Sequence, residues 1–292
     1  MTADIDPSTN LPAKSRPRRP FLRLVRSAIL IYLTVCLLMM FMETMLVYPV
    51  PKFPGQGEWN AAAFDAEEVT FSSLDGTPLH GWYWEHPRPR AQLLYLHGNG
   101  DCVGYLGDYL QQLSRENEVS VFVFDYRGYG RSEGRPHEAG ILKDGAAARD
   151  WLAKRGGIKP AEVVLMGRSL GGGVAVHLAA QDGARGLILQ NTFTSLPDAA
   201  ARLFPYLPVR LLMRNRYRSI DKIANYSGPL LQSHGDQDRV VPYELGKRLF
   251  ERAVGPKEFI TIPGGDHNDP EPPSYNLRLK QFLHNDISSA NS

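Results

Sequence analysis

The chain is expected to fold as an α/β protein, with a mostly parallel central sheet and helices on both faces. Three observations predict this. Short apolar runs rich in β-formers alternate with longer segments of helical spacing from residue 67 onward. Short buried strands joined by helices imply parallel pairing. The 292-residue chain is 43% hydrophobic and 22% charged, the balance of a globular protein with a sizeable core.

The N-terminus stands apart from this pattern. Residues 1–26 hold Lys14, Arg16, Arg18, Arg19, Arg23 and Arg26 against Asp4 and Asp6, so the remainder of the chain is slightly acidic although the formal net charge is +2. That remainder lacks the basic excess expected of a nucleic-acid partner. From Ser27 to Pro51 the one charged residue is Glu43. A helix over residues 27–48 would be about 33 Å long at ~1.5 Å per residue, which matches a bilayer's hydrocarbon thickness. Glu43 lies in its last third, where a carboxylate can reach the far interface, and Tyr48 suits that interface. The expectation is a single-pass anchor, with the basic N-terminus on the cytoplasmic side and the body on the opposite, extracytoplasmic side. A cleaved signal peptide would want small residues after the run, where the chain has METMLVYPV instead. A buried core helix is the other alternative, because the charge-free core is on the short side for a span. Residues 49–66 follow as a tether, stiffened by Pro49, Pro51 and Pro54.

The body is expected over 67–288. Glu68–Ser73 and Leu79–Trp84 flank Asp75-Gly76 and predict a hairpin. Further strands are expected at 91–96, 119–124, 163–166, 186–189, 229–232 and 258–262. Helices are expected near 105–115, 141–154, 170–181, 243–253 and 274–285. The alternation breaks at about 191–227. This insertion carries Arg202, Arg210, Arg214, Arg216 and Arg218, with no acid between Asp198 and Asp221. It is either an ordinary helical insertion or a lid over a pocket that also approaches anionic lipid headgroups. Two cysteines, Cys36 in the apolar run and Cys102 far from it, exclude a disulfide framework or a cysteine zinc site.

Gly167-Arg168-Ser169-Leu170-Gly171 lies between an apolar strand and an apolar helix. A serine on so tight a turn holds its Oγ proud of the sheet, and small neighbours are needed for the turn to close. The helix N-terminus adds partial positive charge where an oxyanion would form. A serine needs a base. Of eight histidines, His267 follows the last expected strand in the loop 263–269, at the strand ends where catalytic groups gather. His177 lies within the helix after Ser169, His80 in the hairpin and His284 in the last helix, while His137 has no supporting strand. The acid that orients His267 is expected after the preceding strand, where both Asp236 and Asp238 qualify by position. Leu96-His97-Gly98-Asn99-Gly100 follows another strand, so the Asn99 amide can serve as one oxyanion donor and the Leu170 amide as the second. His97 reads as a structural hydrogen-bonding residue.

Together with Asp125-Tyr126-Arg127-Gly128-Tyr129-Gly130-Arg131-Ser132 and His234-Gly235-Asp236-Gln237-Asp238, these motifs resemble the α/β hydrolases, in their serine-aminopeptidase-like branch, over about residues 67–285. The resemblance implies an α/β-hydrolase fold with a short helical lid and assigns the acid to Asp238. The start of the insertion, the Gly265–Asp269 ending and the N-terminal anchor resemble the membrane-anchored bud-emergence-type subgroup. The function expected is a serine hydrolase of acyl esters, thioesters or lipid-like substrates, acting through Ser169, Asp238 and His267, with no metal or organic cofactor and no nucleic-acid partner. A peptidase of the serine-aminopeptidase type and a non-catalytic binding protein on the same fold are the alternatives. The loop 125–132 is expected to be structural.

Overall fold

The computed structural model describes residues 20–51, Phe53 and 57–287. Most of the basic tail expected over 1–26 lies outside these residues. The chain divides into two compact units, Met1–Phe41 and Met42–Ser292.

The described part of the first unit belongs to one apolar helix, α1 (Pro20–Val47), which begins seven residues before the expected start. Its stretch Phe21–Val47 is long and apolar enough to cross a membrane, and 6% of its most apolar window is buried. A core helix of a soluble domain would be mostly buried.

The second unit is built on an eight-stranded sheet of β1 (Glu67–Ser72), β2 (Pro78–Trp84), β3 (Gln92–Leu96), β4 (Ser120–Phe124), β5 (Val164–Arg168), β6 (Gly186–Gln190), β7 (Leu230–Gly235) and β8 (Lys257–Ile262). Its order is β1-β2-β4-β3-β5-β6-β7-β8. β1–β2 and β2–β4 pair antiparallel, and β3 to β8 run parallel. The helices are α2 (Val103–Asn117), α3 (Glu138–Gly156), α4 (Leu170–Asp182), α5 (Leu196–Leu203), α6 (Val209–Leu212), α7 (Ser219–Lys222), α8 (Tyr243–Arg252) and α9 (Pro273–Gln281). The three shortest, α5 to α7 with α6 and α7 of one turn each, fill the insertion between β6 and β7.

Alternate residues of the strands face two apolar layers. Leu94, Phe122, Leu165 and Leu187 join one, and Leu93, Val121, Val164 and Ile188 the other. Both sheet faces are therefore covered, which is why the strands read as continuous apolar runs. From β3 the chain crosses to β4 on one side and returns to β5 on the other. The strand order thus reverses at β3/β5, and the crevice beyond the carboxyl ends of those strands is where such sheets take ligands.

The second unit also claims the last turn of α1 and the tether. Tyr48 is buried, with its hydroxyl hydrogen-bonded to Asn215 and Tyr217. Glu43 does not extend into solvent or hydrocarbon but accepts hydrogen bonds from the insertion. Further along, Gly130 N donates to Pro51 O and Glu58 N to Gly104 O, so described tether residues are packed onto the domain. Cys36 and Cys102 are both free thiols.

Candidate active site

β5 ends at Arg168 and α4 begins at Leu170, leaving Ser169 alone in the turn. Its backbone has φ 51° and ψ −115°, a conformation that costs a non-glycine residue on the order of 1–3 kcal/mol. The surroundings hold it there. Ser169 N donates to Gln190 O at 2.9 Å, and Ser169 O accepts from Gly172 N at 3.0 Å and Thr192 Oγ1 at 2.8 Å. The flanking glycines are steric requirements. A Cβ on Gly171 would stand 1.9 Å from Leu96 O, and one on Gly167 would stand 2.4 Å from Gly171 O. Ser169 is 8% exposed, at the start of a 13-residue helix whose dipole favours negative charge there.

The loop after β8 brings His267 to this serine. His267 Nε2 lies 3.0 Å from Ser169 Oγ, and His267 Nδ1 lies 2.7 Å from Asp238 Oδ2. An ionised carboxylate only accepts, so the proton belongs on Nδ1, and Nε2 is left to accept from the serine hydroxyl. The Asp238 side chain is buried, while its backbone is partly exposed. Burial would raise its carboxyl, but hydrogen bonds from His234 and His267 outweigh this and hold it well below the usual carboxylate range. Val240 N and Val241 N bind its other oxygen at 2.8 and 2.7 Å. Asp236 turns instead to the Gly264 amide at 2.7 Å. Position along the chain left these two aspartates equivalent, and the structure joins Asp238 to His267.

The Leu96–Gly100 loop runs beside Ser169. A Cβ on Gly98 would lie 3.8 Å from Ser169 Cβ. Among the described residues no protein acceptor takes the amide of Asn99 or of Leu170, so both remain available as donors. His97 is fully buried and stacked on Tyr126, its Nδ1 2.8 Å from Gly98 O, and burial lowers its pKa. His80 bridges Glu68 and Asp125, His177 faces Lys222, and His234 binds Val241 O, all apart from Ser169.

Sequence reasoning missed several positioning groups. Tyr126 and Tyr129 donate to His97 O and Asn99 O, each at 2.9 Å, and so clamp the 96–100 loop from the 125–132 segment. Asn191 donates to His267 O at 2.9 Å and accepts from Gly235 N at 3.1 Å, joining the histidine loop to the acid loop, and Arg168 adds a second donor to His267 O. Glu271, four residues after His267, is pushed up to about 7 by burial, and its Oε2 has no partner among the described residues. The aromatic and Asn residues of these motifs were visible as motif members, but nothing local marked their targets.

A cavity of about 590 Å³ is lined by Asp238 together with Arg202, Asp236, Arg239, Pro242, Tyr243 and Glu244. Among the described residues no group of three His, Cys, Asp or Glu side chains is spaced to hold a metal ion.

A family model described as serine aminopeptidase, S33, matches residues 87–223. An uncharacterized Mycobacterium tuberculosis protein, Rv2307c, is 39% identical over 211 residues, which span 70% of this chain and 73% of that one. The alpha/beta hydrolase domain-containing protein WAV2 of Arabidopsis thaliana is 34% identical over 260 residues, 80% of this chain and 84% of that one. Among solved structures, the Pyrococcus furiosus esterase Pf2001 superposes with a TM-score of 0.68 at 19% identity, covering 82% of this chain and 100% of that one.

Proposed function

The chain belongs to the α/β hydrolase superfamily, and on that footing we propose that it is a membrane-anchored serine hydrolase of acyl esters or thioesters. The observation that carries this reading is the continuous hydrogen-bonded line from Ser169 Oγ through His267 to Asp238. In the proposed cycle Ser169 Oγ attacks the substrate carbonyl carbon while His267 Nε2 takes the hydroxyl proton. The amides of Asn99 and Leu170 receive the oxyanion. Asp238 holds the imidazolium by its Nδ1–H. The tetrahedral intermediate expels the alcohol or thiol, which leaves with the proton from Nε2. Water then attacks the acyl-serine, His267 takes its proton, and the carboxylic acid departs as Ser169 is reprotonated.

The esterase name of the Pyrococcus protein supports an ester as substrate. The largely exposed apolar helix supports an anchor, and the basic residues before it support a cytoplasmic N-terminus with the catalytic unit across the membrane. A second reading, a peptidase, is favoured by the family model's description. It would need acidic groups for a substrate amine, and the insertion is instead basic.

The test pairs a fluorophosphonate label with turnover of p-nitrophenyl esters and aminoacyl p-nitroanilides. The expected result is labelling of the wild type, loss of labelling in Ser169→Ala, and a fall in ester turnover on the order of 10³-fold or more. Faster cleavage of the anilides would favour the peptidase. An unlabelled wild type would favour a binding protein.

A further inference from the structure

We propose that the edge of the insertion from Arg202 to Arg214 is a bilayer-contact surface, seated in the headgroup layer of the membrane that holds the N-terminal helix. The proposal rests on the anchor reading above and deepens it.

Glu43 sets the height of this edge. It is 6% exposed, and its Oε1 accepts from Arg214 N at 2.9 Å, Asn215 N at 2.8 Å and Asn215 Nδ2 at 2.9 Å. Arg214 Nε lies 3.4 Å from its Oε2. A carboxylate matched by so many donors belongs to the folded domain and not to hydrocarbon. The bond network continues inward. Asn215 Oδ1 accepts from Tyr48 OH and Glu138 N, and Glu138 accepts from Arg216 N and Tyr217 N. The return segment of the insertion is thus held to the turn that contains Glu43. Between Arg26 and Glu43 sixteen uncharged residues span about 24 Å as a helix, short of the ~30 Å hydrocarbon core, so the long Arg23 and Arg26 side chains reach back to the near headgroups and the far interface lies at about Met42. Glu43 is the next residue and brings residues 214 and 215 to the same level.

The chemistry of the edge suits that level. Leu203 is 54% exposed, Tyr206 88% and Leu211 77%, with Phe204 exposed beside them. Beyond the α1 end and the tether, the other exposed large apolar residues of the domain, Leu74, Tyr105, Val240, Val254 and Leu277, are spread along the chain, which needs no explanation, whereas four in nine residues do. The surrounding charge is basic. Arg210 and Arg218 are paired with Asp198 and Asp221, and Arg214 with Glu43. Arg202 is exposed and Arg216 half-buried, with its Nη1 donating to Arg210 O at 3.4 Å; neither makes an ion pair among the described residues, and both keep N–H groups for lipid phosphates. Arg202 also lines the cavity beside Asp238. Arg202 thus joins the contact surface to a cavity that Asp238 also lines, and the substrate class that suits such a surface is an acyl amphiphile presented by the bilayer.

Spin labels test this on the full chain, with Cys36 and Cys102 replaced by alanine, in phosphatidylglycerol-rich vesicles. Labels go at Leu203→Cys and Leu211→Cys, at Val254→Cys and Leu277→Cys as exposed references, and at Leu33→Cys in the helix. The expected result is that labels at 203 and 211 are relaxed by oxygen and shielded from a water-soluble nickel chelate, with the reverse at 254 and 277. Arg202→Glu with Arg216→Glu is expected to raise nickel access at 211 about threefold or more, and no rise would overturn the role of lipid phosphates. Labels at 203 and 211 as open to nickel as the references, with 33 still shielded, overturn the contact surface while the anchor stands. An open label at 33 overturns both. Shielding at 203 and 211 that occurs only in native membranes, and not in pure lipid, assigns the edge to a protein partner and overturns the proposal.

Discussion

Asp236 and Asp238 share one loop, yet one carboxylate meets an imidazole and the other a backbone amide. Asp238→Asn would present an amide to His267 Nδ1 and favour the wrong tautomer, so kcat is expected to fall on the order of 10³–10⁴-fold. Asp236→Asn keeps an oxygen for the Gly264 amide and is expected to cost less than about tenfold. Steady-state ester hydrolysis of the two variants checks the pair. Glu271 carries a pH dependence. Burial raises its carboxyl from 4.5 to about 7, so the folded state favours the protonated form. The sign follows. Its contribution is fully present below the unfolded pKa and is lost as pH rises through about 7, a change of roughly 3 kcal/mol. Glu271→Gln is expected to remove that loss. Urea unfolding at pH 4.5 and pH 8 should then give a smaller stability difference for the variant than for the wild type.

At the scale of elements, each strand end delivers one part of the site. β3 ends in the loop with the Asn99 amide, β5 at Ser169, β7 in the loop with Asp238 and β8 in the loop with His267, the four parts that the proposed cycle uses. The loop 125–132 after β4 braces the first of these. Between its two clamping tyrosines, Arg127 binds Asp144, Asp75 and Ser73, with Asp144 fully buried. Arg127→Ala would leave a buried carboxylate unpaired, at a cost of about 3–5 kcal/mol. Lysine at 127 is not expected to rescue it, because a single ammonium cannot reproduce the forked contacts. Denaturant midpoints read the loss, and a lower kcat at unchanged KM would show that the brace reaches the Asn99 amide.

For the whole molecule, the boundary between its two units falls before Glu43, not after the helix. A chain that starts at Met42 keeps the Glu43 carboxylate on Asn215 and is expected to retain short-ester turnover. A chain that starts at Tyr48 leaves Asn215 Nδ2 and two backbone amides without their acceptor. Each such loss costs on the order of 1–3 kcal/mol, and the melting temperature shifts by about 2–4 °C per kcal/mol. Calorimetry of the two truncated chains should therefore separate them by several degrees. Equal melting temperatures would mean that Glu43 contributes nothing to the domain.

Strand and helix positions, the turn around Ser169 and the place of His267 were legible from residues 67 to 285, because each is written in neighbouring residues: an apolar run, a glycine, a helical period. The bond partners were not. Tyr126 and Tyr129 act on carbonyls about thirty positions earlier, Asn191 spans two loops, and Glu43, read from composition as a charge inside an apolar helix, serves a segment more than 170 residues away. Such pairings follow from how strands order themselves in the sheet and from which loops then meet. Local periodicity carries the period of an element and the chemistry of a turn, while the choice between two aspartates is made only when folding sets one of them 2.7 Å from an imidazole.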